Sequence, residues 1–154
     1  MRSVVILAGL LSPLSAQQID YNSLRSVVRL SAPEKVSGTR NQTVTLDLVA
    51  TMKPGYHVAS NVAPAYPLKV KLLENDAAQL QNVVYPAPKT HKLGDEILSV
   101  FDGDVRLKLT LKVAANAPVG RTILTGKVSY QACDDRACLR PDSIDIKVPL
   151  DIRN

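Results

Sequence analysis

Cys133 and Cys138 are the only cysteines in this 154-residue chain, and four residues, Asp134-Asp135-Arg136-Ala137, separate them. Two thiols this close can be joined as a structural staple, or they can exchange electrons as a dithiol–disulfide pair. Their flanks differ. Two acids follow Cys133 and disfavour a thiolate there. Cys138 lies two residues from both Arg136 and Arg140, and on an extended strand residues two apart share a face. A cation beside a thiol lowers its pKa and raises its nucleophilic fraction. If the pair is redox-active, Cys138 is the thiol that attacks and Cys133 the one that resolves. A CxxxxC spacing is neither a CxxC redox motif nor a zinc pattern, so both uses of the pair stay open on spacing alone.

The elements that must position the pair read as strands. "LTGKVSYQAC" alternates into Cys133, and "SIDIKVPL" alternates away from Cys138. The expected arrangement is a hairpin closed by the four-residue loop, a common connection length. Facing residues then have Cα atoms about 4.5–5.5 Å apart, within the span of a disulfide. Such a bridge closes a loop of about six residues and removes only roughly 2 kcal/mol of denatured-state entropy, a small return for a staple.

The same period-two pattern dominates the chain. "DVRLKLTLKV" places Val105, Leu107, Leu109, Leu111 and Val113 on one face and Arg106, Lys108, Thr110 and Lys112 on the other, as in a strand with one side on the core and one in water. Turn signals at Pro54-Gly55, Asp102-Gly103, Pro118 and Pro141 punctuate the pattern. Strands are predicted at 26–31, 43–52, 56–60, 67–74, 81–85, 97–101, 104–113, 121–132 and 138–150. Seven to nine short strands in one domain predict an all-β fold, an immunoglobulin-like antiparallel β-sandwich. There is no tryptophan, and the cysteines are too close in sequence to bridge two sheets, so the antibody hallmarks are missing.

The N-terminus, "MRSVVILAGLLSPLSAQQ", has a basic start, a short apolar run and a plausible cleavage site after Ala16. The run is shorter than the ~20 residues a membrane span needs. Residues 1–16 are therefore expected to be a signal peptide and 17–154 one exported domain, with no membrane insertion after cleavage. The net charge of +5 is spread over alternating positions, which marks solvated sheet faces. Without a basic cluster, and with five Tyr and one Phe as the only aromatics of that kind, nucleic acid is not an expected partner.

Three segments carry a family likeness: "MKPGYHVASN" (52–61), "LSVFDGDVRLKLTLKV" (98–113), and "GKVSYQACDDRACLRP" with the closing "KVPL". Together they resemble the N-terminal periplasmic domain of DsbD-type thiol:disulfide interchange proteins, from about Val27 to Leu150. The resemblance implies a periplasmic, monomeric sandwich that needs no cofactor and relays reducing equivalents through its cysteine pair. Its partners would be the thioredoxin-like domain of a membrane reductase and oxidised periplasmic thiol proteins. In that scheme Cys138 forms the mixed disulfide and Cys133 resolves it. The family form has five residues between its cysteines and covers them with a cap loop of acids and aromatics. The matching stretch here is Gly94-Asp95-Glu96-Ile97-Leu98, which keeps the acids and leaves Ile97 or Leu98 to shield the sulfurs. The chain ends at Asn154 without a transmembrane relay, so the donor is expected to be a separate protein.

His57, at a strand head, is the candidate to modulate the thiolate. His91, in "PAPKTHKLGDE", reads as an exposed loop residue, and Tyr130 as a core aromatic. The histidines lie at no recognised ligand spacing, so no metal is expected. The rival function is a non-enzymatic β-sandwich adaptor or binding module whose hairpin disulfide is structural.

Overall fold

The computed structural model describes residues 26–154; the expected signal peptide at 1–16 lies outside the described residues. Among the described residues, twelve strands form three four-stranded sheets. The first contains β1 (Val28–Ser31), β3 (Thr43–Met52), β9 (Asp104–Val113) and β6 (Ala78–Val84), in that order. The second contains β2 (Val36–Thr39), β12 (Asp142–Arg153), β10 (Gly120–Tyr130) and β5 (Lys69–Leu72). The third is small: β11 (Ala132–Cys133), β4 (His57–Ala59), β8 (Glu96–Asp102) and β7 (Lys89–Leu93). The fold is an immunoglobulin-like β-sandwich. All pairs are antiparallel except β2 and β12, which run parallel from Leu150↔Val36 to Arg153↔Thr39.

The alternation in the sequence becomes the core. On β3 and β9, Leu46 faces Leu109, Leu48 faces Leu107, and Ala50 faces Val105; all six are buried. The second sheet adds Leu124, Val128 and Tyr130 from β10 and Ile146, Val148, Leu150 and Ile152 from β12. Burying one Leu or Ile contributes about 1.5–3 kcal/mol. A single core residue therefore matches the six-residue disulfide loop, and the sandwich does not depend on the bridge.

Three departures from the predicted strands matter for the site. The run predicted at 121–132 breaks at Gln131: β10 ends at Tyr130, and Ala132–Cys133 crosses to the third sheet. The strand predicted from residue 138 begins only at Asp142, because Pro141 has no N–H to give a ladder. The loop predicted around His91 is instead β7, paired with β8 from Lys89↔Val100 to Leu93↔Glu96. Gly94 turns that hairpin at φ +60°, a conformation glycine adopts without steric cost.

Candidate functional site

The third sheet has two faces, and its pairings sort the residues between them. Ala132 pairs with Val58 and Val58 with Phe101; these three belong to the sandwich core. Their neighbours point the other way. Cys133 pairs with His57, and His57 with Asp102; Val100 and His91 follow on the same face by strand alternation. Cys133, His57 and Val100 are buried, yet Cys133, His57 and Val100 are not part of the main core. The sheet thus carries a second, smaller buried layer on the side away from the sandwich centre.

Cys133 and Cys138 are joined in a disulfide with Cα atoms 3.9 Å apart, closer than the 4.5–5.5 Å expected of facing strands. The approach follows from the turn. Asp134 N–H donates to Ala137 O at 3.0 Å. The Asp134 carboxylate accepts the N–H groups of Arg136 and Ala137, both at 2.8 Å, an Asx-type turn. Leu139 N–H donates to Ala132 O at 2.8 Å, and Gln131 Nε2 donates to Leu139 O at 3.0 Å. Both arms of the loop are therefore anchored. Cys133 is 5% exposed, whereas Cys138 is exposed on the loop side.

The charges around the bridge are uneven. The N–H groups of Ala137 and then Arg136 hold the Asp134 carboxyl below its usual pKa, so a negative charge stays beside Cys133 into acid. Arg136 and Arg140 are exposed and form no ion pair among the described residues. Arg136 lies in a bend and Arg140 precedes β12, so the shared-face argument made for an extended strand does not apply to them.

His57 is 5% exposed, and its Nε2 is buried without a hydrogen-bond partner. The His91 ring lies over it, with centroids 4.2 Å apart and planes inclined by 40°. His91 Nε2 lies 3.4 Å from Asp135 Oδ1, near enough for attraction between charges but not aligned for a hydrogen bond. Burial first, and then His91, lower the His57 pKa, against the opposing pull of Asp135, Asp102 and Asp134. His91 is thus half-buried beside the site rather than exposed in a loop, and Asp102 and Asp135 join the same group. This convergence leaves no mark in the sequence, because β7 shows no apolar alternation.

A cleft of about 420 Å³ opens beside this layer, lined by Tyr56, His57, His91, Val100, Asp102 and Asp135 among others. Glu96 and Ile97 sit at the tip of the β7–β8 hairpin, and Ile97 is 76% exposed. Leu98 is half-buried and pairs with His91. Tyr130 is buried in the core; burial raises its pKa and keeps it protonated. Among the described residues, no group of three or more His, Cys, Asp or Glu is placed to hold a metal ion.

An immunoglobulin-like sandwich with a single disulfide on a small side sheet among the described residues, one cysteine buried and its partner exposed, defines a domain suited to thiol–disulfide chemistry. The family described as "Thiol:disulfide interchange protein DsbD, N-terminal" matches residues 28–149, and the chain belongs to that family. Among solved structures, the N-terminal periplasmic domain of ScsB from Proteus mirabilis is similar at 16% identity and a TM-score of 0.52. That match covers 80% of this chain and 45% of the other, so the chain spans under half of that relative's length. The N-terminal domain of DsbD from Neisseria meningitidis in the reduced form is similar at 13% identity and a TM-score of 0.46, over 66% of this chain and 74% of that one. No curated protein matches the sequence. Among the described residues, no helix is long and apolar enough to cross a membrane.

Proposed function

We propose that this domain is exported, loses residues 1–16, and works in the periplasm as a monomeric thiol–disulfide exchange module. It relays reducing equivalents from the thioredoxin-like domain of a membrane reductase to oxidised periplasmic thiol proteins. The observation that carries the reading is the asymmetry of the bridge: Cys133 is buried beside β4, and Cys138 is exposed. A partner thiolate reaches Cys138, forms the mixed disulfide there, and releases Cys133 as the resolving thiol. Asp134 and Asp135 disfavour the thiolate of Cys133; Arg136 and Arg140 are exposed beside Cys138 in sequence and add only a general positive charge for an incoming thiolate.

The shielding role expected of the 94–98 segment is divided. Leu98, paired with His91, screens the inner face of the site. Glu96 and Ile97, at the exposed hairpin tip, are available to a docking partner. His57 tunes the buried sulfur from the neighbouring strand.

The test is a redox titration of the purified domain against thiol buffers, read by alkylation, followed by incubation with a reduced thioredoxin-like protein. A relay equilibrates with its partner at potentials near those of thioredoxin-like proteins, about −120 to −270 mV. A bridge that stays oxidised below about −300 mV makes it a structural staple, and the domain then acts as an adaptor.

A further inference from the structure

Building on the exchange reading above, we propose that His57 and His91 handle the proton of the exchange. His57 serves the Cys133 sulfur across the β4–β11 ladder, and His91, tied to the inter-cysteine loop through Asp135, holds the His57 ring in place. The placement is specific. His57 is the ladder partner of Cys133, and side chains directly opposite on one face have Cβ atoms about 4.5–5.5 Å apart. Its Nε2 is buried with no partner in the oxidised chain, an expense that a buried polar atom seldom bears without a use. His91 stacks on it from β7 and approaches Asp135 of the inter-cysteine loop. The cleft of about 420 Å³ lies beside both rings, although the Nε2 atoms themselves are buried.

The chemistry of the bridge supplies the use. A partner thiolate attacks Cys138 Sγ; a new S–S bond forms there while the Cys133–Cys138 bond breaks. The bonding electron pair leaves on Cys133 Sγ. The partner's second thiolate then attacks the partner sulfur of the mixed disulfide and releases Cys138. In total the partner dithiol becomes a disulfide, the chain's disulfide becomes a dithiol, and two electrons and two protons are transferred. The first thiolate formed on this chain is the buried one, and a buried anion is costly unless it is paired or protonated. Its surroundings are already acidic: Asp134 and Asp135 on the loop and Asp102 on β8. Lys89 of β7 is paired with Asp102, and Lys53 only lines the outer cleft. His57 is the base placed on the ladder itself. The new negative charge draws a proton onto the imidazole, which shares it with Cys133 Sγ. Neither histidine is a ligand or a nucleophile here; His91 is a positioning residue that acts through His57.

The proposal is tested on the wild-type domain by following the imidazole C2 protons by NMR from pH 4.5 to 8.5, oxidised and after reduction with dithiothreitol. The His57 titration midpoint is expected to lie about one pH unit or more higher in the reduced chain. His57→Gln is expected to slow reduction by dithiothreitol about tenfold near neutral pH, after correction for reagent ionisation. Tenfold falls below the usual general-acid range because thiolates leave readily. His91→Gln should slow it less and shift the His57 midpoint. An identical His57 midpoint in both redox states overturns the proposal, whether or not the His57 variant folds. Because a small thiol opens the bridge, this readout survives a failure of the relay reading, which is judged with the thioredoxin-like protein. A bridge that dithiothreitol cannot open overturns both.

Discussion

His91 lies over His57 at 4.2 Å between ring centroids, although β8 runs between their two strands in the sheet order β11-β4-β8-β7. The small sheet curls enough for edge-strand side chains to reach back over β4, and the buried Val100 side chain is the floor beneath them. Two imidazoles and the acid of the inter-cysteine loop are thereby gathered on one wall.

This gathering sets a pH response of the oxidised fold. Burial, and then His91, lower the His57 pKa below 6.5 in the folded chain, so the unfolded chain takes up a proton there first. Above about pH 7 His57 is neutral in both states and its titration contributes nothing. Stability falls as the pH drops below about 6.5 and levels off beneath the folded-state pKa. The urea midpoint of the oxidised domain should be lower at pH 5.5 than at pH 7.5, and the difference should shrink in His57→Gln. A variant that keeps the full difference assigns the response to other groups.

The unequal burial of the two sulfurs predicts unequal trapping. Cys133→Ser leaves the exposed Cys138 without its resolving thiol and should accumulate mixed disulfides with oxidised thioredoxin-like proteins. Cys138→Ser should accumulate far fewer, because Cys133 is only 5% exposed. Non-reducing gels and mass spectrometry read the ratio. Equal trapping by both variants removes the assigned roles.

Opening the bridge should leave the sandwich standing. Its loop closure is worth at most roughly 2 kcal/mol, against a core in which Leu48, Leu107, Leu109, Leu111 and Leu150 are all fully buried. Reduction should lower Tm by less than about 10 °C and preserve the far-ultraviolet spectrum of the strands. Loss of that spectrum on reduction would identify the bridge as a staple.

Gly126 sits where β10 meets β5, paired with Leu72. A Cβ added there would lie 2.3 Å from Lys71 O and 2.8 Å from Leu72 Cδ2. Backbone cannot give way as a side-chain tip can, so Gly126→Ala should destabilise the domain by about 2 kcal/mol or more. A denaturant midpoint within error of wild type would mean that β5 shifts freely at the sheet edge.

Much of this architecture was legible because burial on one face forces alternation. The runs at 43–52 and 104–113 coincide with β3 and β9, whose apolar sides meet in register. β7 was not legible: "KTHKL" covers no core, lies at the edge of the small sheet, and so carries no period of two. Nor was the break at Gln131, since alternation reports which face a residue takes and not which sheet its strand joins. The cysteine pair could be read as a unit from its isolation in the chain. Its histidine neighbours could not, because His57 and His91 meet only through the curl of the third sheet. Arg136 and Arg140 share no strand face, because Pro141 delays β12 to Asp142.

The parallel seating of Val36–Thr39 beside Leu150–Arg153 also governs when the domain can take shape. One of the earliest strands has its only partner in its sheet at the far end of the chain, and that final strand also separates it from β10. Whether the polypeptide leaves a ribosome or a translocation pore N-terminus first, β10 can pair with β5 early, but β2 cannot join the second sheet until residues 142–153 have come through. Until then the cysteines are already outside while much of the scaffold that orients them is unfinished, so the sulfurs are open to mispairing with other thiols during that interval.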